Sequence, residues 1–132
     1  MTEVTQASDI YSNISKNDRL GLISKDGIDY KGIVNFLEFD ESIVSKVAGV
    51  SRSKVRYDVK RMPIEVKTRL EEILNILNLV ADHFNSIEKT SLWFKTPNPF
   101  FGEISPRDMI RFGRYAKLMQ FIIDARMAQA KK

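Results

Sequence analysis

Residues 64–84 carry apolar side chains at steps of three and four, the spacing of one face of a long α-helix. Pro63 precedes this run, and proline suits the first turn of a helix because its missing N–H is not needed there. A helix this long must bury a wide apolar stripe, so the rest of the chain is expected to pack around it. We interpret the stripe first as core and second as a dimer seam. Its members are Val66, Leu70, Ile73, Leu74, Ile76, Leu77, Val80, Ala81 and Phe84.

Apolar residues elsewhere also follow helical spacing, and no segment alternates as a strand would. The sequence therefore predicts an all-α fold, with an N-terminal helix-turn-helix subdomain, a long connecting helix and a C-terminal helical subdomain. The predicted divisions are a weakly patterned arm over residues 1–28, a helix-turn-helix region over 29–62, and the long helix with a binding domain over 63–132. Within the first division, residues 1 to about 18 are expected to form a mobile arm. Asp26-Gly27 is expected to precede a helix rather than to form a hairpin turn.

Composition excludes several classes of protein. The chain has 132 residues, no cysteine and one histidine, which excludes a disulfide framework and leaves too few ligands for a structural zinc. There is no glycine-rich phosphate loop and no His-Glu-x-x-His metal motif, so neither catalysis nor a cofactor is expected. The start of the chain does not resemble a signal peptide, and no run approaches the length of a membrane span, which favours a cytoplasmic protein.

A helix-turn-helix pattern follows a helix predicted over residues 30–37. Asp40 is placed to cap the next helix with its side chain, and Gly49 permits a left-handed turn. A second short helix is predicted over residues 52–60, with Ser51 as its N-cap. The remaining members of the pattern are Ile43, Val44 and Val47 on the first helix, Val50 at the corner, and Val55 and Val59 facing inward on the second.

Positive charge concentrates on that second helix. Residues 51–69 contain seven lysines and arginines but only two acidic residues, and such a patch attracts a polyanion. The alternative is an ordinary all-α helix pair that never touches nucleic acid, and Asp58 would repel phosphate. The turn and the charge together favour DNA binding. The predicted contacts are Ser51, Arg52, Ser53, Lys54, Arg56, Tyr57 and Lys60.

The last third of the chain alternates short helices with a stiff corner. Asn85 and Glu88 have the spacing of a capping box, and they predict a helix that packs Ile87, Leu92, Trp93 and Phe94 inward. Residues 97–99, Pro-Asn-Pro, end that helix because each proline lacks an N–H and restricts its predecessor. Ser105-Pro106 opens the next helix, Gly113 interrupts it, and a final amphipathic helix is predicted over 114–128. An aromatic corner this rigid suits binding better than catalysis.

The run Leu92-Trp93-Phe94-Lys95-Thr96-Pro97-Asn98-Pro99, followed by Gly102 and Ser105-Pro106, closely resembles the toxin-binding domain of the Xre/MbcA/ParS family of antitoxins. The turn Gly49-Val50-Ser51 and the long helix begun by Pro63 are also similar to that family, so the resemblance covers roughly residues 40–125. It implies an all-α dimer that binds its own promoter and neutralises a RES-domain, NAD-consuming toxin by covering the toxin's active site. The chain departs from the family after residue 123, where a short glycine-containing tail is replaced by nine residues without glycine.

From this resemblance we expect the region from about Ser86 onward to bind a protein toxin, with Trp93 and Phe94 mainly in the core. The alternative is an orphan helix-turn-helix transcription regulator without a toxin partner. A homodimer is expected in either case, with its seam on the long helix or the C-terminal helices. The expected toxin contacts, taken as exposed, are Lys95, Asn98, Phe101, Arg107, Arg111 and the tail from Arg126.

Overall fold

The structure, a computed structural model, describes residues 18–130. Most of the arm predicted at the start of the chain therefore lies outside the described residues, as do residues 131 and 132. The described residues are mainly helical, which confirms the all-α prediction. Their elements are strands β1 (Ile23–Ser24) and β2 (Gly27–Ile28), helices α1 (Tyr30–Leu37), α2 (Glu41–Ala48), α3 (Ile64–Phe84), α4 (Ile87–Lys95), α5 (Pro106–Arg111) and α6 (Tyr115–Ala130), and 3₁₀ turns at Arg52–Lys54 and Pro99–Phe101.

Helix α3 is the centre of the fold and has the bounds that the sequence predicted. It packs against α1, α2, α4 and α6, and eight of the nine predicted stripe residues are buried, with Phe84 half-buried. The stripe is thus occupied by the chain's own helices, as expected of core. Helix α6 runs alongside α3 in the same direction, because Tyr115 lies on Arg69 near one end while Arg126 reaches Leu79 near the other. One buried cluster extends from Leu22 to Ile122.

Side-chain caps define the helix starts. The Asp29 carboxylate accepts from the Gly32 N–H at 2.9 Å and opens α1, and Asp40 accepts from the Ile43 N–H at 2.8 Å and opens α2, as predicted. The predicted cap at Asn85 is wrong. Asn85 ends α3 in the left-handed conformation, at φ 52°, and Ser86 caps α4 by accepting from the Lys89 N–H. Asparagine tolerates that conformation better than most residues, which explains its place at the junction.

A small hairpin precedes α1, contrary to expectation. Ile23 pairs with Ile28 and Ser24 pairs with Gly27 in an antiparallel register, so Asp26-Gly27 takes part in a turn. Gly27 has a φ of 112°, a conformation open mainly to glycine. Strands of two residues are too short to show alternation, which is why the sequence pattern did not reveal them.

The prediction of a second helix over residues 52–60, in the helix-turn-helix pattern, is also wrong. After Gly49, which does adopt the left-handed conformation, residues 52–54 make one 3₁₀ turn and residues 55–57 have no regular structure. Val55 is buried, Arg56 is exposed and Tyr57 is half-buried, so burial alternates with a period of two. A helix would bury Val55 together with Val59, but Val59 is 65% exposed. Extended backbone buries Val55 and Tyr57 together instead.

The C-terminal helices largely match the predicted ones. Ser105 caps α5 by accepting from the Asp108 N–H at 3.1 Å, with Pro106 as the first helical residue. Gly113, at φ 80°, separates α5 from α6. Two residues of α4 differ from expectation, since Ile87 and Leu92 are 51% and 67% exposed rather than packed inward. No helix between residues 18 and 130 is long and apolar enough to cross a membrane.

Candidate functional site

Asn98 organises the corner that follows α4. Its side-chain Oδ1 accepts from the Phe100 N–H at 2.9 Å. Its backbone N–H donates to the Ile104 carbonyl at 3.0 Å, and its carbonyl accepts from the N–H groups of Phe101 and Glu103. Pro97 and Pro99 hold the backbone on either side. The loop is therefore closed on one residue, and the predicted partner contact at Asn98 has a structural role.

The corner presents one phenylalanine to solvent and buries the next. Phe101, expected to be exposed, is 9% exposed and lies edge-on against Phe121, with ring centroids 4.9 Å apart. Phe100 is 78% exposed, and only one side of its ring meets Phe121, at 5.6 Å. Adjacent residues in a 3₁₀ turn point in different directions, so composition alone could not tell which phenylalanine is outward. Sequence reasoning therefore missed Phe100.

The aromatic pair on α4 divides between core and surface. Phe94 is completely buried, as predicted, and lies edge-on to Phe36 of α1 with centroids 6.4 Å apart. Trp93 is perpendicular to Phe94 at 5.1 Å and is only half-buried. Its other neighbour is Phe84, at 6.5 Å. Leu92, one residue earlier, faces solvent.

Two of the predicted toxin contacts connect the C-terminal half to the end of α1. Arg107 donates from Nε to the Leu37 carbonyl and from Nη2 to the Glu38 carbonyl, the second at 3.1 Å. Lys95 Nζ lies 3.3 Å from the Glu38 carboxylate. Glu38 itself has a φ of 57°, which turns the chain out of α1. These basic groups fix three elements together, although Lys95 stays exposed overall.

The other two basic residues also have partners within the chain. Arg111 pairs with Asp108 at 3.2 Å and lies over the exposed ring of Phe112. Arg126 donates to the Leu79 carbonyl at 3.0 Å and pairs with Asp82 at 3.1 Å, which fastens the end of α6 to α3. The six predicted contact residues thus lie on one half of the molecule, but most of them stabilise its fold.

The predicted DNA contacts remain together on an exposed loop. Ser51, Arg52, Ser53, Lys54, Arg56 and Lys60 are all exposed. Arg56 donates to the carbonyls of Ser53 and Val55 at 3.0 and 2.8 Å, which holds the loop in shape. Arg52 lies 3.9 Å from the Glu41 carboxylate. Ser51 makes no side-chain cap, so the predicted helix N-terminus is absent from this loop.

Tyr57 differs from its neighbours in the loop. Its hydroxyl is buried, and no hydrogen-bond partner lies within reach among residues 18–130. Burial, followed by the nearby charges of Glu41 and Asp40, raises the pKa of the phenol. The ring carries Lys31 Nζ 4.6 Å from its centroid. A phenol buried in this way has no free hydroxyl to offer to a phosphate.

Asp58, which was expected to oppose phosphate, is paired. Its carboxylate accepts from Arg61 Nε at 3.2 Å, and this hydrogen bond lowers the pKa of Asp58. Some of its negative charge is thereby compensated within the loop. Residues 51–61 still contain five basic side chains against this single acid.

No protein-family model matches the chain, and no curated protein matches it. Among solved structures, the chain is similar to one from the crystal structure of the M. tuberculosis MbcT-MbcA toxin-antitoxin complex. The two are 21% identical in sequence and superpose with a TM-score of 0.49. The match covers 71% of this chain and 86% of the other.

Proposed function

We propose that this chain is the antitoxin of a type II toxin-antitoxin system, which binds and neutralises a RES-type, NAD-consuming toxin and represses its own promoter. The observation that carries the proposal is the aromatic corner of residues 92–106. It combines the Trp-to-Pro motif, the run from Trp93 to Pro99 that resembles the toxin-binding domain of the Xre/MbcA/ParS family, with a rigid loop that leaves Phe100 in solvent. The proposed role is binding, without catalysis of its own.

Phe100 has the properties of an interface anchor. Aromatic side chains at the centre of an interface contribute most of the binding energy when they enter a pocket on the partner. The loop that carries Phe100 is fixed by Asn98 and two prolines, so little conformational entropy is lost when it binds. Leu92, 67% exposed on the preceding helix, offers a second apolar side chain. We propose that these two residues, missed in the sequence, contact the toxin directly.

The C-terminal segment that carries most of the proposed interface is rich in basic residues. The segment 95–132 has eight lysines and arginines against three acidic residues. Lys95 and Arg111 are the members of the predicted set with exposed charge, and we propose them as contacts at the rim. Charges at a rim speed the association of a partner with an acidic cleft more than they tighten the complex.

Promoter binding is proposed for the loop of residues 51–61. One 3₁₀ turn is too short to lie in the major groove as a reading helix does. The exposed arginines and lysines are suited to phosphate oxygens, which are contacted without regard to sequence. We therefore propose that this loop supplies phosphate contacts and that any reading of bases comes from elsewhere in a dimer.

The test uses the full chain, because α1 contributes Phe36 and the Leu37 carbonyl to the C-terminal half and a fragment beginning at Pro63 would lose them. The chain is co-expressed with the protein encoded by the neighbouring reading frame, and growth and co-purification are measured. Phe100→Asp with Leu92→Asp should abolish both rescue of growth and the stoichiometric complex.

The control is Ile64→Asp, which places one such charge on a residue as exposed as Leu92, 66% against 67%, at the other end of α3. Rescue should survive this change. If the double variant protects cells as well as the unmodified chain does, the proposed surface is wrong. If the unmodified chain neither protects cells nor forms a complex, the antitoxin proposal itself is wrong.

A further inference from the structure

A cleft of about 290 Å³ lies between the middle of α3 and the first half of α6. Its walls include Glu72, Asn75 and Ile76 of α3 and Tyr115, Ala116 and Met119 of α6. Ile76 is fully buried, and Tyr115 and Met119 are half-buried, so much of the wall is apolar. None of these residues belongs to the sets predicted to contact DNA or a toxin.

Asn75 brings unsatisfied hydrogen-bonding groups to this cleft. The residue is only 5% exposed, yet it forms part of the cleft wall. No hydrogen bond joins its carboxamide to another group within residues 18–130. A buried polar group without partners destabilises a fold, and an apolar side chain of the same size would not. The Asn75 amide therefore points to a ligand that supplies its missing partners.

The charges at the cleft are balanced within the chain. Glu72 is the one charged residue of the wall, and its Oε1 accepts from Arg69 Nη1 at 2.9 Å. The Arg69 guanidinium also donates to the Val47 carbonyl at 3.1 Å and lies 3.8 Å from the centroid of the Tyr115 ring. Both partners of this ion pair are therefore held in place without a ligand. A charged ligand would lose its hydration here without gaining an unpaired opposite charge, so the cleft favours a neutral one.

We propose that the cleft binds a small, neutral, planar ring that carries an N–H beside a carbonyl, the chemistry of a cyclic amide such as uracil. The N–H of this edge donates to Oδ1 of Asn75 while its carbonyl accepts from Nδ2, which satisfies both ends of the carboxamide. Ile76 and the thioether of Met119 offer apolar contacts to the ring. The volume lies just below the range of about 300–1,000 Å³ that holds drug-sized ligands, which suits a single ring. This inference does not rest on the proposed antitoxin function.

Uracil is titrated into the isotope-labelled full chain, and the backbone amide shifts of residues 115–120 are followed by NMR. Saturable shifts are expected with a Kd on the order of 1–10 mM, because a ligand this small gains limited affinity. Dimethyluracil, methylated on both ring nitrogens, has the same ring without an N–H and should bind about fivefold more weakly. Asn75→Leu, which removes both hydrogen bonds, should weaken uracil binding about tenfold. The matched control is Gln129→Leu, which removes an exposed carboxamide of α6 outside the cleft and should leave binding unchanged.

Ala116→Leu provides a second variant that leaves Asn75 in place. Ala116 is exposed on α6, so a larger side chain there fills the cleft without disturbing the core, and it should also abolish saturable shifts. The absence of saturable shifts in the unmodified chain up to about 20 mM uracil would overturn the proposal. Equal binding of uracil and dimethyluracil, or undiminished binding to Asn75→Leu, would overturn it as well. So would shifts of residues 115–120 on concentrating the chain alone, because a second copy would then be covering the cleft.

Discussion

Arg107 on α5 binds the backbone at the end of α1, seventy residues earlier, by donating from Nε to the carbonyl of Leu37. The Leu37 carbonyl belongs to the last turn of a helix, where carbonyls lack an intrahelical partner. Nη2 of the same guanidinium donates to the next carbonyl, that of Glu38. One side chain thus satisfies two backbone acceptors and joins the first helix of the fold to its C-terminal half.

Arg107→Ala should lower the free energy of unfolding by about 1–3 kcal/mol, because it leaves the acceptors at the end of α1 without their charged donor. Arg107→Lys should recover little of this, since a single ammonium cannot reproduce the planar fork. Urea denaturation measures both. Arg111→Ala is the control, because the partners of Arg111, the Asp108 carboxylate and the ring of Phe112, both lie on neighbouring turns of the chain, and it should cost less than about 0.5 kcal/mol. Equal effects at the two arginines would show that the contact to α1 is not stabilising.

The buried Tyr30 and the half-buried Tyr57 should respond in opposite ways to removal of the hydroxyl. Tyr30 donates to the Glu71 carboxylate at 2.7 Å, so Tyr30→Phe should cost about 1–3 kcal/mol of unfolding free energy. The Tyr57 hydroxyl has no partner within the described residues, so Tyr57→Phe should be neutral or stabilising by up to about 1 kcal/mol. Thermal or urea unfolding of the two variants, compared with that of the unmodified chain, measures both changes in unfolding free energy. A Tyr57 variant as unstable as the Tyr30 variant would show that its hydroxyl is bonded.

Tyr30 also predicts a dependence on pH. Burial, then the hydrogen bond to Glu71 and its charge, raises the pKa of Tyr30 in the folded state above that of an unfolded tyrosine, which is about 10. A raised pKa means that the stabilisation is complete below the unfolded value and is lost as the pH rises towards the folded one. The difference in unfolding free energy between the unmodified chain and Tyr30→Phe should therefore shrink between pH 9 and pH 11 (about one unit on either side of that value). A constant difference would contradict the assignment.

The sequence predicted most of the helices because their signals are local. The apolar stripe of residues 64–84, the caps at Asp40 and Ser105, and the break at Gly113 each depend on residues close together in the chain. The sequence predicted a helix after Ser51 because Val55 and Val59 have helical spacing. In the structure, Val55 and Tyr57 are the residues that contact the core. Only the tertiary structure decides between those two patterns, since both bury Val55 and leave the charged residues exposed.

The candidate site was less predictable than the fold. The Trp-to-Pro motif located the corner, but basic residues chosen as exposed proved to bind backbone and carboxylate groups distant in sequence, as Arg107 and Arg126 do. Such long-range partners leave no periodic pattern. The choice between Phe100 and Phe101 as the outward ring depends on the twist of one 3₁₀ turn closed on Asn98, which composition does not encode.

The last prediction concerns the proposed contact between the loop of residues 51–61 and DNA. Because the loop lacks a reading helix, Arg52→Ala with Arg56→Ala should weaken binding to unrelated duplexes and to the chain's own promoter by the same factor. Each phosphate contact that is lost should reduce the slope of log affinity against log salt by about 0.9. A base-reading arginine would behave differently, since its loss costs about 1–3 kcal/mol on one sequence alone. Mobility-shift titrations at several salt concentrations distinguish the two, with Lys117→Ala, an exposed lysine on α6, as the control. Unchanged affinity in the double arginine variant would remove the loop from the DNA interface, and a loss confined to the promoter would mean that these arginines read bases after all.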